Sequence, residues 1–140
     1  MFVRVLAVVV TTAALLSATQ SGGRAGDKPY VVKDGKINQA TYNGWRRYSD
    51  SCLRCHGPDG AGSSYAPNLI QSLKSMSEDK FRDTVMGGRV NVSQSNQNVM
   101  PSFADVEDVA MYLDDIYAYL KARSDGVLDR GRPERFKEAP

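Results

Sequence analysis

Cys52-Leu53-Arg54-Cys55-His56 is where this chain could do chemistry. The spacing is C-x-x-C-H. Two thiols so placed can each form a thioether to one porphyrin edge, and the histidine that follows is then set beneath the iron. A neutral imidazole nitrogen suits iron well. The chain has 2 Cys and 1 His in all, so every such residue lies in this one pentapeptide. A thioredoxin-like redox pair would need a βαβ context, and no such pattern surrounds it. A structural zinc site needs four ligands, and three residues this closely packed cannot close a tetrahedron. The pentapeptide therefore reads as the attachment point of one covalent haem c, with Cys52 and Cys55 as the binding thiols and His56 as the proximal iron ligand.

The start of the chain agrees, because haem of this kind is attached outside the bacterial cytoplasm. Arg4 is followed by a short apolar run, Val5 to Leu16, and then by small and polar residues to Ala25. That is the layout of a secretory signal peptide over residues 1–25, too short for an ordinary membrane span. Cleavage after Ala18 or Ala25 fits equally. The expected location is the periplasm, with no membrane span left after cleavage. The precursor carries 18 Lys+Arg against 16 Asp+Glu. Arg4 and Arg24 leave with the leader, so the mature chain is balanced and its charge gives no reason to expect nucleic acid as a partner. What remains is one domain's worth of chain.

The elements that must position the haem peptide are helical. Residues 26–37 read as extended and polar, with Pro29 and Gly35 as breakers. Asn38 can cap a helix running to about Ser51, which carries Tyr42, Trp45 and Tyr48, with Gly44 allowing close approach by another helix. Gly57 to Ser64 is a loop on composition, and residues 68–74 suit a short helix. Ser77 can cap another over 78–86, stopped by Gly87 and Gly88. Residues 89–101 read as a loop rich in Ser, Gln and Asn. Asp105 can cap a last helix to about Arg123. There Val106, Val109, Ala110, Leu113, Ile116, Tyr117 and Leu120 form one apolar face, and Glu107, Asp108, Asp114 and Asp115 form the solvated one. Residues 124–140 read as a loose tail. With no strand-like alternation, the fold class is all-α, one domain over 38–123.

After the leader, the candidate sixth ligands are Met76, Met86, Met100 and Met111, thioethers that would raise the iron's potential. Met111 lies within a helix, and Met76 and Met86 flank one, so core packing is their default. Met100 lies in the loop before Pro101, which biases it to an extended backbone able to reach across the haem. The alternative is an open or water-bound site. Arg89, where that loop begins, is placed to neutralise a haem propionate, or else is an ordinary solvated arginine.

The chain resembles the class I c-type cytochromes in the helix with Gly44 and Tyr48, in Cys52-x-x-Cys55-His56-Gly57, in Ala66-Pro67-Asn68-Leu69, in Met100-Pro101 and in Tyr119-Leu120. The resemblance implies a compact helical fold wrapping one haem, with Met100 as distal ligand. It also implies that the Pro67 carbonyl orients His56, and that Tyr119 packs on the first helix near Gly44. A narrower likeness runs through Thr41-Tyr42-Asn43-Gly44-Trp45-Arg46-Arg47-Tyr48, Gln97-Asn98-Val99-Met100-Pro101 and residues 114–123. These are similar to the methanol-metabolism-related c-type cytochromes, which accept electrons from quinoprotein alcohol dehydrogenases carrying pyrroloquinoline quinone.

The expected function is electron transfer, not catalysis. A haem with both axial positions filled has no place for substrate, and no nucleophile–base set remains once His56 is an iron ligand. The expected donor is a quinoprotein alcohol dehydrogenase, and the acceptor another cytochrome or a terminal oxidase. Partners would meet the uncharged Ser, Gln and Asn residues of the 89–101 loop, with Arg46, Arg47, Arg54 and Lys74 as a steering rim. The competing readings are an open-site gas-binding or peroxidatic haem protein, and a fixed haem subunit of a larger oxidoreductase.

Overall fold

Three polar side chains start three helices. Asn38 accepts from the Thr41 amide at 3.1 Å, Asn68 from Gln71 at 3.0 Å and Ser77 from Lys80 at 3.2 Å. Each satisfies an amide that has no partner within its helix, an effect of about 1 kcal/mol. The computed structural model describes residues 28–93 and 96–137, with residues 91–93 and 96–98 described by backbone alone. The expected leader, residues 1–25, lies outside the described residues, as do Gln94 and Ser95 and the side chains of the other Ser, Gln and Asn residues expected to form a contact surface over 93–98.

The chain opens with a small hairpin, β1 (Val32–Lys33) and β2 (Lys36–Ile37). Asp34 and Gly35 between them both have positive φ, as a two-residue turn of this kind requires. Helix α1 (Gln39–Arg47) passes directly into a π turn (Tyr48–Cys52) and then α2 (Leu53–His56). After a loop come α3 (Leu69–Ser72) and α4 (Glu78–Gly87). Strands β3 (Arg89–Ser93) and β4 (Asn96–Met100) follow, and the chain continues through α5 (Glu107–Met111) and α6 (Leu113–Ser124).

The core lies where α1 crosses α6. Tyr48, Ile116, Tyr119 and Leu120 are fully buried there, and Leu73, Phe81 and Val85 close it from α3 and α4. Tyr119 packs its ring on Tyr48, with centroids 5.6 Å apart. That is one turn beyond Gly44, whose own Cα faces the backbone of Asp115 and Ile116. The all-α reading holds for this helical shell, which carries little strand.

Four local expectations are corrected. The 89–101 loop is an antiparallel hairpin, with Arg89 opposite Met100 and Val90 opposite Val99. The last helix is two helices broken at Tyr112, whose ring carries the Arg47 guanidinium 3.8 Å from its centroid while Arg47 also pairs with Asp108 at 3.0 Å. Asp105 caps neither. It sits in a turn closed by the Val106 amide donating to Phe103, and Val106 is the cap residue, without a side-chain bond. The acidic face is engaged as well as solvated: Asp114 pairs with Arg82, and Asp115 accepts from Asn43.

The tail expected to be loose folds back as a strap. Leu128 and Pro133 are buried. The Ile37 amide donates to Glu134 at 2.9 Å and the Phe136 amide to Ile37 at 3.1 Å, so the tail joins β2 as a parallel edge. Two apolar anchors suffice because the backbone polar groups find partners in an existing strand. No helix among the described residues is long and apolar enough to cross a membrane.

Candidate haem site

The π turn and α2 present the pentapeptide. The Leu53 amide reaches back to the Tyr48 carbonyl, a wider turn than the α-helix allows. Cys52 is half-buried and packs on the core, and Cys55 is exposed. Burial, with Cys55 nearby, pushes the Cys52 thiol up to about 11.

His56 is buried, and its Nδ1 lies 3.1 Å from the Pro67 carbonyl oxygen. A carbonyl only accepts, so Nδ1 carries the proton and Nε2 keeps its lone pair. The intervening loop is held by several bonds. The Gly62 amide donates to the His56 carbonyl at 2.7 Å, and the Ser63 hydroxyl to the Cys55 carbonyl. The buried Tyr48 hydroxyl donates to the Gly57 carbonyl and accepts from the Gly60 amide at 2.9 Å. Asp59 accepts from Arg130 Nε and, at 3.0 Å, from the Gly131 amide, so the strap also ties down the haem loop. The sequence reading did not anticipate these roles of Tyr48 and Asp59. The Tyr48 signal was its place four residues before Cys52, on the face turned to the core.

On the other side, Gly88 has φ +73° and sits so tightly under the chain that a Cβ would come 2.8 Å from the Met100 carbonyl oxygen. Only glycine fits that turn. The Ser102 hydroxyl donates to the Met86 carbonyl and the Phe103 amide to Val85, which fixes the return from Met100-Pro101 onto α4. Met100 is half-buried against the core. Met76 and Met86 are packed there too, while Met111 is 65 % exposed. Arg89 is exposed and shares its ladder rung with Met100, hence the same face of the hairpin. Among the described residues it makes no ion pair. Arg47, expected on a charged rim, is instead taken up by Asp108 and Tyr112.

Two thiols on one turn, with an imidazole whose Nε2 is free, fit a covalently held haem iron. That chemistry, in a helical shell, is that of the class I c-type cytochromes, haem proteins that carry electrons instead of transforming substrates. The chain belongs to this family: the profile described as cytochrome C oxidase, cbb3-type, subunit III, matches residues 39–120. Membership implies covalent haem c with its iron. Among relatives, cytochrome c-553I of Paracoccus denitrificans is 45 % identical over 108 residues, 77 % of this chain and 48 % of its own length. Cytochrome c-555 of Methylococcus capsulatus is 43 % identical over 100 residues, 71 % of this chain and 75 % of its own. The chain thus spans about half of the first relative and three quarters of the second. The crystal structure of the c-type cytochrome XoxG from Methylobacterium extorquens AM1 superposes with a TM-score of 0.65 at 40 % identity, covering 81 % of this chain and 76 % of that one.

Proposed function

We propose that this is a periplasmic carrier with one haem per chain, which takes electrons from a pyrroloquinoline-quinone-dependent methanol or alcohol dehydrogenase and passes them to another cytochrome or a terminal oxidase. The bound haem supplies a one-electron ferric–ferrous couple. Cys52 and Cys55 hold it covalently, and His56 is aimed by the Pro67 carbonyl. Met100 would be its second iron ligand, and a thioether there would favour the reduced state. Arg89, on the Met100 rung, pairs with a propionate. The observation that carries this reading is the 3.1 Å contact from His56 Nδ1 to Pro67, which fixes both the tautomer and the ring plane of a ligand that follows C-x-x-C. The donor class rests on the likeness of residues 41–48, 97–101 and 114–123 to the methanol-metabolism-related cytochromes.

Stopped-flow mixing of the oxidised cytochrome with a quinoprotein alcohol dehydrogenase and its alcohol tests the donor. Rapid reduction that slows with added salt is expected. Reduction only by other donors would leave a generic electron carrier. Intact mass should equal the processed chain plus one haem, and haem that extracts into acidified organic solvent would refute covalent attachment. A second reading, a fixed subunit of an oxidase complex, draws on the family description and on a 35 % identity over 80 residues to the cbb3-type oxidase subunit CcoP of Rubrivivax gelatinosus. Stable co-purification with a large subunit would favour it.

A further inference from the structure

Between α1 and the C-terminal strap runs an open groove of about 390 Å³. Its floor is aromatic: Tyr42 and Trp45 sit with ring centroids 5.1 Å apart. Its walls are cationic, formed by Arg46 from α1 and Arg132 and Arg135 from the strap, all three exposed. None of the three has a carboxylate within ion-pair distance among the described residues, whereas Arg47, Arg82 and Arg130 all do. Asp50 is the one acidic residue lining the groove, so positive charge predominates there. In a chain with 18 Lys+Arg against 16 Asp+Glu, that local excess is more than composition supplies.

The strap arginines are also held in place. Arg132 donates to the Tyr42 hydroxyl at 2.9 Å and lies over the Trp45 ring at 5.6 Å. Arg135 lies over the Tyr42 ring at 4.6 Å and donates to Gln39. Stacking on a ring face uses the guanidinium plane and leaves outward N–H groups for a carboxylate. Prior ordering lowers the entropy that a partner must overcome. Ser49 and Asp50 also line the groove, and they lie inside the same π turn that finishes at Cys52.

We infer that this groove is a docking surface for the acidic face of the protein electron donor, with Arg46, Arg132 and Arg135 receiving its carboxylates and the donor's redox centre brought in over the Cys52 end. The inference rests on the donor reading above. It differs from a contact through the 89–100 hairpin, where Val90 and Val99 are 65 % and 63 % exposed and Arg89 is the one charge among the described side chains. Charge complementarity at such a rim acts mainly on association rate.

Two measurements on the haem-loaded protein test it. In the first, the dehydrogenase and alcohol reduce wild type, Arg46→Glu, and Arg46→Glu/Arg135→Glu at low and high salt. We expect about a tenfold loss of second-order rate in the double variant at low salt, shrinking as salt screens the charges. Val90→Ser/Val99→Ser should stay within about twofold. Among the described residues Arg46 makes no hydrogen bond, ion pair or ring contact, so its single variant covers the case in which changing Arg135 loosens the strap. In the second, polyglutamate is titrated while the indole N–H resonance of Trp45 is followed; the chain has 1 Trp, so the signal is unambiguous. A saturable shift, absent in the double variant, is expected. If wild type is not reduced by the dehydrogenase, the donor reading falls and the indole titration decides the surface. Wild-type rates in the charge-reversed variants, or no indole shift, would overturn the inference.

Discussion

The carbonyl oxygen of Asp115 lies 1.8 Å from where a Cβ on Gly44 would stand, so α1 and α6 meet backbone to backbone at this point. No side-chain rotation can relieve that overlap. Gly44→Ala must force the helices apart across Tyr48, Ile116 and Tyr119. We expect a loss of about 2–3 kcal/mol by denaturant unfolding of the holoprotein, despite alanine's better helix propensity of about 1 kcal/mol. Gly87→Ala is the control. Nothing lies within 4 Å of a Cβ there, and stability should hold or rise by up to about 1 kcal/mol.

Tyr48→Phe keeps the ring and removes the hydroxyl that serves both the Gly57 carbonyl and the Gly60 amide. Two backbone groups of the haem loop then lack a partner, at a cost of about 1–3 kcal/mol. The loop also loses its tie to α1 just after His56. Unfolding should therefore come earlier, and the low-spin visible spectrum should broaden before the helices melt. A variant as stable as wild type would show that water replaces the hydroxyl.

Acid should release the N-terminal Lys28–Tyr30 segment from the end of α6 through Asp125. Burial alone would raise this carboxyl, but donation from Lys121, Lys28 and Tyr30 outweighs it and holds the group at about 2. The folded value lies below the ordinary 3.8, so the contribution is full above pH about 4 and is lost as pH falls toward 2. Solvent screening at the lysine partners leaves a contribution on the order of 1 kcal/mol. Asp125→Asn should be less stable at neutral pH and should flatten the acid limb of the stability profile between those values. An unchanged limb would place the acid sensitivity elsewhere.

Met100→Ala should abolish the weak far-red band of oxidised, methionine-ligated haem and lower the reduction potential. Met76→Ala, Met86→Ala and Met111→Ala should keep the band. Met111 is a strict control, since it is exposed. A band that survives in Met100→Ala would reassign the distal ligand.

What the sequence makes legible here is local. Asn38 and Ser77 cap their helices as their types suggest, because each cap is a bond within four residues, and Asn68, not read as a cap, does the same. The haem peptide is equally local. The β3 strand was also within reach: Arg89-Val90-Asn91-Val92-Ser93 alternates polar and apolar, yet the surrounding Ser, Gln and Asn read as loop. The break at Tyr112 was not legible, because Arg47, far away in sequence, stabilises it. Nor was the strap, whose buried Leu128 and Pro133 follow no period and whose Gly131, Glu134 and Phe136 find their partners in the haem loop and β2.

That strap has a kinetic side. Tyr30 reaches Asp125 across 95 positions, and Ile37 pairs with Arg135, so the ends of the described chain lie together. Closing so long a loop carries more chain entropy than the turns around Cys52 and His56, and such non-local pairing forms late. The strap is thus a latch on an already folded body. Its opening would unpair Ile37 and free Arg132 and Arg135 while α1 and α6 stay packed. In amide exchange, Ile37 and Phe136 should lose protection together and well before α6, at a free energy below that of global unfolding. Equal protection in the two regions would mean that latch and body open as one.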